Sequence, residues 1–329
     1  MRSDIIKRLI EAHSEGDNRA FRKAALQLAA AESSAGHSRI ADDIRRQIAA
    51  LPLRHGPDSV VDIARPRGEL AEILEGGHRR ERLGDLILSP EKCEELEKVL
   101  HENRSRAALE RHGLSPRRRL LFHGPPGCGK TLAATVIAGE MGLPLLTLRL
   151  ASLFSRFLGA TANHLCSVFD EMPRRPGVYL FDEFDAIAQA RGESQDVGEM
   201  RRVVTAFLQF MDADQSPSLL IAATNHPELL DRAVFRRFDV VLAFSMPDEQ
   251  QLRALIRLRL RSYTIAEKVV DRVAPLGAGL SFADLGRACD DALRTMVLDG
   301  REEPTLEDLE GAFTKAQQRA HDQQRARGR

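Results

Sequence analysis

The eight residues Gly124-Pro125-Pro126-Gly127-Cys128-Gly129-Lys130-Thr131 constrain the fold of this chain more than any other stretch. They follow the apolar run Leu120-Leu121-Phe122 and precede the helix-prone Leu132-Ala133-Ala134-Thr135-Val136-Ile137-Ala138. Strand, glycine-rich loop and helix are the context that a phosphate-binding loop requires. Gly127 and Gly129 carry no Cβ, so the backbone can turn tightly and aim successive N–H groups at a polyphosphate, aided by the positive end of the following helix dipole. The spacing puts Lys130 on the β and γ phosphates and the Thr131 hydroxyl on Mg²⁺. Gly124 through Leu132 are thus the expected nucleotide-binding residues.

A second motif, Val178-Tyr179-Leu180-Phe181-Asp182-Glu183, is an apolar strand ending in two carboxylates. A buried parallel strand delivers such acids to its carboxyl edge, where ligands of open α/β sheets bind. Asp182 is the expected partner of Thr131 at Mg²⁺ and also a nucleotide-site residue, and Glu183 the base that polarises the attacking water. The two motifs occur in this order about fifty residues apart, which points to Mg²⁺-dependent hydrolysis of a nucleoside triphosphate.

Composition narrows the remaining classes. Of 329 residues 43% are apolar, enough for two or three domains with cores. Lys and Arg number 48 and Asp and Glu 48, so no basic excess argues for nucleic acid as a partner. Cys93, Cys128, Cys166 and Cys289 are widely spaced, which suggests neither zinc nor a disulfide framework and implies a reducing compartment. No apolar segment is long enough for a membrane span, and a cytoplasmic location is expected.

Along the chain, residues 1–51 show helical periodicity three times, at Ile5, Ile6, Leu9 and Ile10, at Phe21, Ala24, Ala25 and Leu28, and at Ile40, Ile44 and Ile48. Three short helices predict a small bundle that docks a substrate or partner. Residues 52–82, rich in Pro, Gly and Arg, read as a linker. The large ATPase domain is expected over 83–246, with Ser89-Pro90-Glu91 opening a long helix and five parallel strands at 119–123, 145–150, 178–181, 218–223 and 240–244. A small helical domain is expected over 247–316, with Ser281-x-x-Asp284 and Thr305-x-x-Asp308 capping two of its four helices. The tail, 317–329, is expected to fray.

The fourth strand ends in Thr224-Asn225-His226-Pro227, and Leu230-Asp231-Arg232-Ala233-Val234-Phe235-Arg236-Arg237-Phe238 follows. With these motifs the sequence resembles the AAA ATPases, the family of FtsH, katanin, spastin and the endosomal disassembly ATPases, over about residues 83–315. The resemblance implies a P-loop sheet with a helical lid, and implies that Asn225 senses the γ-phosphate and helps to place the water. It also implies that Arg236 and Arg237 are fingers inserted into a neighbouring subunit's site, that the chain forms a homohexamer, and that it remodels or threads a protein substrate. Arg156, Phe157 and Leu158, followed by Gly159, are similar to the family's first pore loop, although Ala160 stands where an acid is usual; residues 191–196 correspond to the second. Gly279-Leu280-Ser281-Phe282-Ala283-Asp284-Leu285 is similar to the start of the lid helix, with Phe282 in place of a Gly and no sensor Arg at Ala283. No H-E-x-x-H protease motif is present, so degradation requires a separately encoded protease; compact bacterial relatives are sometimes encoded beside a subtilisin-like one. A second reading, a nucleotide-dependent switch or scaffold that regulates a partner without threading, differs in whether Phe157 matters beyond ATP binding.

Overall fold

The structure, a computed structural model, describes residues 70–150, 161–186 and 197–327, together with Ala25, Leu28, Ala29 and Leu153. The chain divides into two compact units, Met1–Arg65 and Pro66–Arg329. In the first unit Ala25, Leu28 and Ala29 are helical. The three-helix bundle expected there otherwise lies outside the described residues, as do both pore-loop segments.

In the second unit six strands form one sheet in the order β1-β3-β4-β5-β2-β6. They are β1 (Leu74–His78), β2 (Arg119–His123), β3 (Pro144–Arg149), β4 (Val178–Asp182), β5 (Leu219–Thr224) and β6 (Val240–Ala243). The helices around them are α1 (Leu70–Ile73), α2 (Pro90–Arg104), α3 (Arg106–Arg111), α4 (Lys130–Met141), α5 (Thr161–Glu171), α6 (Val197–Ala213) and α7 (Arg232–Phe235). β2 to β6 run parallel, as the apolar runs predict, and every residue of β5 is buried because helices cover both faces. Side chains alternate between two cores. Leu121, Leu148, Phe181 and Leu220 meet Phe169 and Phe207 on one face, while Phe122, Leu180 and Ile221 meet Leu96, Val99 and Ile137 on the other.

The five-strand expectation is corrected at the edge. β1 pairs antiparallel with β3, with Gly76 opposite Leu146, so residues assigned to a linker over 52–82 lie within the sheet. Leu-Glu-Gly-Gly-His carries no strand periodicity and two residues depleted in strands. Its conformation comes from the ladder bonds that the β3 edge offers, a partner about seventy residues away in sequence.

Four further helices, α8 (Glu249–Arg259), α9 (Glu267–Val273), α10 (Phe282–Leu298) and α11 (Leu306–Arg327), pack around their own core of Leu252, Ile256, Leu285, Ala292, Leu309 and Phe313. Both expected caps form. The Ser281 hydroxyl accepts from Asp284 N at 3.2 Å, and Thr305 Oγ1 accepts from Asp308 N at 3.2 Å. The segment from 317, expected to fray, instead continues α11 as far as Arg327. Its Ala, Gln and Arg residues are good helix formers, Ala320 packs on the small-domain core, and Arg319 reaches Asp291 at 3.4 Å. Among the described residues no helix is long and apolar enough to cross a membrane.

Candidate nucleotide site

The parallel order brings the carboxyl ends of β2, β5 and β4 side by side, with strands about 4.8 Å apart. The glycine-rich loop leaves β2 at Gly124, whose N–H donates to Thr224 O on β5 at 3.2 Å. Gly124 has φ +138°, and a Cβ there would fall 1.9 Å from the Phe244 carbonyl oxygen. Gly127 has φ +76°, and a Cβ on it would lie 2.6 Å from Ser281 Oγ, because the start of α10 rests on the loop. Ala283 N donates to Gly127 O at 3.1 Å, so the small domain holds the loop directly although Phe282 occupies the family's Gly position. A Gly124→Ala protein is expected to lose about 3 kcal/mol or more from positive φ and the carbonyl clash together. Gly142→Ala, at φ +65° with open space around the Cβ, should lose only about 1–2 kcal/mol. Urea unfolding of both proteins checks the difference.

α4 starts at Lys130 behind a left-handed Gly129 that offers no side-chain cap, so its first-turn N–H groups are left for an outside acceptor. Lys130 is 7% exposed, and its ammonium donates to Gly124 O at 2.6 Å and Pro125 O at 2.8 Å. Burial pushes its pKa down, partly offset by attraction to neighbours that include Asp182 and Asp185. Among the described residues no carboxylate forms an ion pair with it. An ammonium has three protons. Two of them meet neutral carbonyls, so this buried cation lacks the anion that a phosphate would supply.

Thr131 Oγ1 donates to Asp182 Oδ2 at 3.2 Å, which sets the two expected Mg²⁺ ligands beside each other. Asp182 Oδ1 accepts from the Glu183 N–H at 2.9 Å. Glu183 is the one non-glycine with positive φ among the described residues, at +56°. Such a conformation costs on the order of 1–3 kcal/mol and persists where the surroundings over-determine it. Here Phe184 N donates to Ala223 O at 2.8 Å and Ala186 N to Glu183 O at 2.9 Å. The buried Phe184 ring sits 5.0 Å from Phe207 and 6.2 Å from Phe238, and so pins the residue after the carboxylate. The Glu183 side chain is left exposed.

These groups open on one cavity of about 790 Å³, within the range of ligand sites. Pro126 to Leu132, the buried Cys128 among them, line one end with Asp182, Glu183 and Asn225. Leu86, Ile87, Leu255, Leu258 and Phe282 line the rest, with Arg259 and Arg261 at the small-domain side. Sequence reasoning missed this second group. Leu255 and Leu258 read as ordinary apolar positions of a helix, and only the packing of α8 beside the 83–88 segment sets them on the cavity wall.

Arg236 and Arg237 are not brought to this cavity. They precede β6, whose first residue, Val240, pairs with Leu120 near the start of β2, while the phosphate loop leaves the other end of β2. Arg237 forms an ion pair with Asp212, a carboxylate that Arg119 also approaches at 3.8 Å. Arg236 is exposed, and among the described residues its side chain has no ion-pair partner. Arg156, Phe157 and Leu158 lie outside the described residues, between the buried Leu153 and α5.

A mostly parallel sheet covered on both faces, with a glycine-rich loop leaving β2, two acids at the end of β4 and a helical lid over the cavity, defines a P-loop nucleotide-binding protein. The profile described as "ATPase family associated with various cellular activities (AAA)" matches residues 120–246. The chain is 33% identical to an uncharacterized AAA family ATPase, y4kL, of Sinorhizobium fredii over 95% of its own length and 94% of that protein. It belongs to the AAA ATPase family. It is also 31% identical to ATP-dependent zinc metalloprotease FtsH 3 of Sphaerobacter thermophilus over 78% of this chain, and 31% identical to the proteasome-activating nucleotidase of Methanothermobacter thermautotrophicus over 63%. The matches span only about half of these two relatives, 51% and 52%.

Proposed function

We propose that the protein is a Mg²⁺-dependent ATPase that works as a homohexameric ring in the cytoplasm, remodelling protein substrates by drawing them through a central pore. The observation that carries the reading is the convergence of the buried Lys130, the Thr131–Asp182 pair, the constrained Glu183 and Asn225 on one cavity. Lys130 and the loop N–H groups bind the triphosphate, and the apolar end of the cavity takes the base. Thr131 and Asp182 would hold Mg²⁺, which would supply positive charge to the site. Glu183 orients the attacking water and accepts its proton, and Asn225 fixes the water against the terminal phosphate. Arg236 and Arg237 serve the neighbouring subunit, stabilising transition-state charge that the cavity lacks by itself.

Residues 1–51 choose the substrate or partner, and Phe157, with Arg156 and Leu158, grips the chain being pulled. The names of the FtsH and proteasome-activating relatives favour a link to proteolysis, which for this chain means a separately encoded protease. Deleting residues 1–51 should leave basal ATP hydrolysis within about twofold of wild type while delivery of the native substrate is lost. Phe157→Ala should keep ATP hydrolysis and substrate binding but abolish unfolding, read as loss of substrate fluorescence or protease access. A Phe157→Ala protein that remodels its native substrate fully would favour the switch reading over threading.

A further inference from the structure

Asp185 attracts no attention in the sequence, where it reads as one more polar residue after the strand. In the structure it is 8% exposed, two residues beyond Glu183. One of its oxygens, Oδ1, accepts from Thr224 Oγ1 at 2.9 Å and from the Asn225 N–H at 3.2 Å. The Thr224 hydroxyl in turn accepts from the His226 N–H at 3.0 Å, which directs its own proton to Asp185. The Thr224 carbonyl receives the N–H of Gly124 at 3.2 Å, the first residue of the phosphate loop. One carboxylate oxygen therefore ties the turn that carries Glu183 to the strand end that carries Asn225, and through Thr224 to the loop.

We propose that Asp185 is a positioning residue for hydrolysis, setting Asn225 and Glu183 in fixed relation at the attacking water. The proposal rests on the reading of Glu183 and Asn225 as the pair that acts on that water. Among the described residues no other side chain of this turn hydrogen-bonds the β5 end. The Asn225 backbone N–H has Asp185 as its acceptor, and the turn after Glu183 is otherwise tied to β5 by the bond from Phe184 N to Ala223 O. That second bond fixes Phe184 and leaves the position of Asn225 free. The two-residue step from Glu183 to Asp185 matters as well. Within a turn closed by Ala186 N on Glu183 O, it aims the Asp185 carboxylate toward β5 while the Glu183 carboxylate faces the cavity.

A misplacement of about 1 Å at a reacting centre can lower the rate about 100-fold without touching ground-state binding. Asp185→Ala should therefore bind ATP with wild-type affinity in a calorimetric titration, keep KM within about threefold and lose kcat by about 10- to 100-fold. Asp185→Asn, which keeps an oxygen in the same place, should return to within about fivefold of wild type. In an Asn225→Ala background, Asp185→Ala should lower kcat less than about threefold further, since it acts through Asn225. Thr224→Val removes one of the two bonds at constant volume, and should lower kcat with ATP affinity unchanged if Asp185→Ala does not fold. Near-wild-type kcat in both Asp185→Ala and Thr224→Val, full additivity with Asn225→Ala, or ATP affinity lost in step with kcat would overturn the proposal. Glu183→Gln and Asn225→Ala are measured alongside. If those two hydrolyse ATP normally, the reading of the site is at fault; if they are inactive while Asp185→Ala is unimpaired, the positioning role alone fails.

Discussion

Lys130→Ala should bind no ATP at concentrations that saturate the wild type, whereas Glu183→Gln should bind ATP with Mg²⁺ and hydrolyse it at least about 100-fold more slowly. The two substitutions separate because the side chains do different work in the same cavity. The Lys130 ammonium is buried, spends two of its donors on Gly124 and Pro125 carbonyls, and among the described residues forms no ion pair. Removing it takes away both the charge that meets the triphosphate and the bonds that hold the loop in its open cradle. Among the described residues the Glu183 side chain makes no hydrogen bond to the loop, so the isosteric amide should leave the cradle intact and remove only the proposed proton acceptor. Equilibrium dialysis for bound ATP and single-turnover phosphate release check both proteins. A Glu183→Gln protein turning over near the wild-type rate would remove Glu183 from the base role, and the +56° backbone would then need another explanation.

Replacing Arg236 and Arg237 together by Ala should lower kcat by about 10³-fold or more with ATP affinity unchanged, and the loss should be reversible by mixing. The argument is geometric. Arg237 sits where β2 and β6 begin, paired with Asp212, whereas the phosphate loop leaves the far end of β2. Five residues of strand span roughly 16 Å, beyond the reach of a side chain to its own cavity. The Arg237–Asp212 pair is partly exposed, with side chains 39% and 44% accessible, so releasing it to a neighbour costs no more than about 1 kcal/mol. Arg236, exposed and without an ion pair among the described residues, needs no release. Subunits carrying both substitutions, inactive alone, should recover hydrolysis when mixed with Lys130→Ala subunits that lend their arginines. Light scattering on Glu183→Gln should show a ring-sized species with ATP and smaller ones without. A monomer in every nucleotide state at tens of micromolar, or no recovery on mixing, would sink the trans arrangement.

The cavity's chemistry was legible because its signals are local. Gly124 to Thr131, the acids Asp182 and Glu183 and the Ser281 cap are each defined within a few residues, and backbone sterics and short-range hydrogen bonds give such patterns one structural meaning. The parallel strands were legible for a related reason, since sheets covered on both faces need unbroken apolar runs. β1 was not, because its Gly-Gly sequence has no preference of its own and becomes a strand only against β3. The extension of α11 through 317–327 was not legible for a comparable reason, with Ala320 and Arg319 gaining their partners only once the small domain is packed.

Tertiary structure alone decided the rest of the site. The sequence put Glu183 at a strand end, but its left-handed backbone depends on Phe184 locked between Phe207 and Phe238 and on a bond to Ala223, residues from α6, the turn before β6 and β5. Its resemblance to the family implied that Arg236 and Arg237 are fingers, but only the parallel pairing of β6 with β2 sets them at the opposite end of β2 from their own phosphate loop. It was silent on Asp185 because a carboxylate acquires a role from the groups that face it. Thr224 and Asn225 lie about forty residues away, and the parallel pairing of β4 with β5 brings them within hydrogen-bond distance.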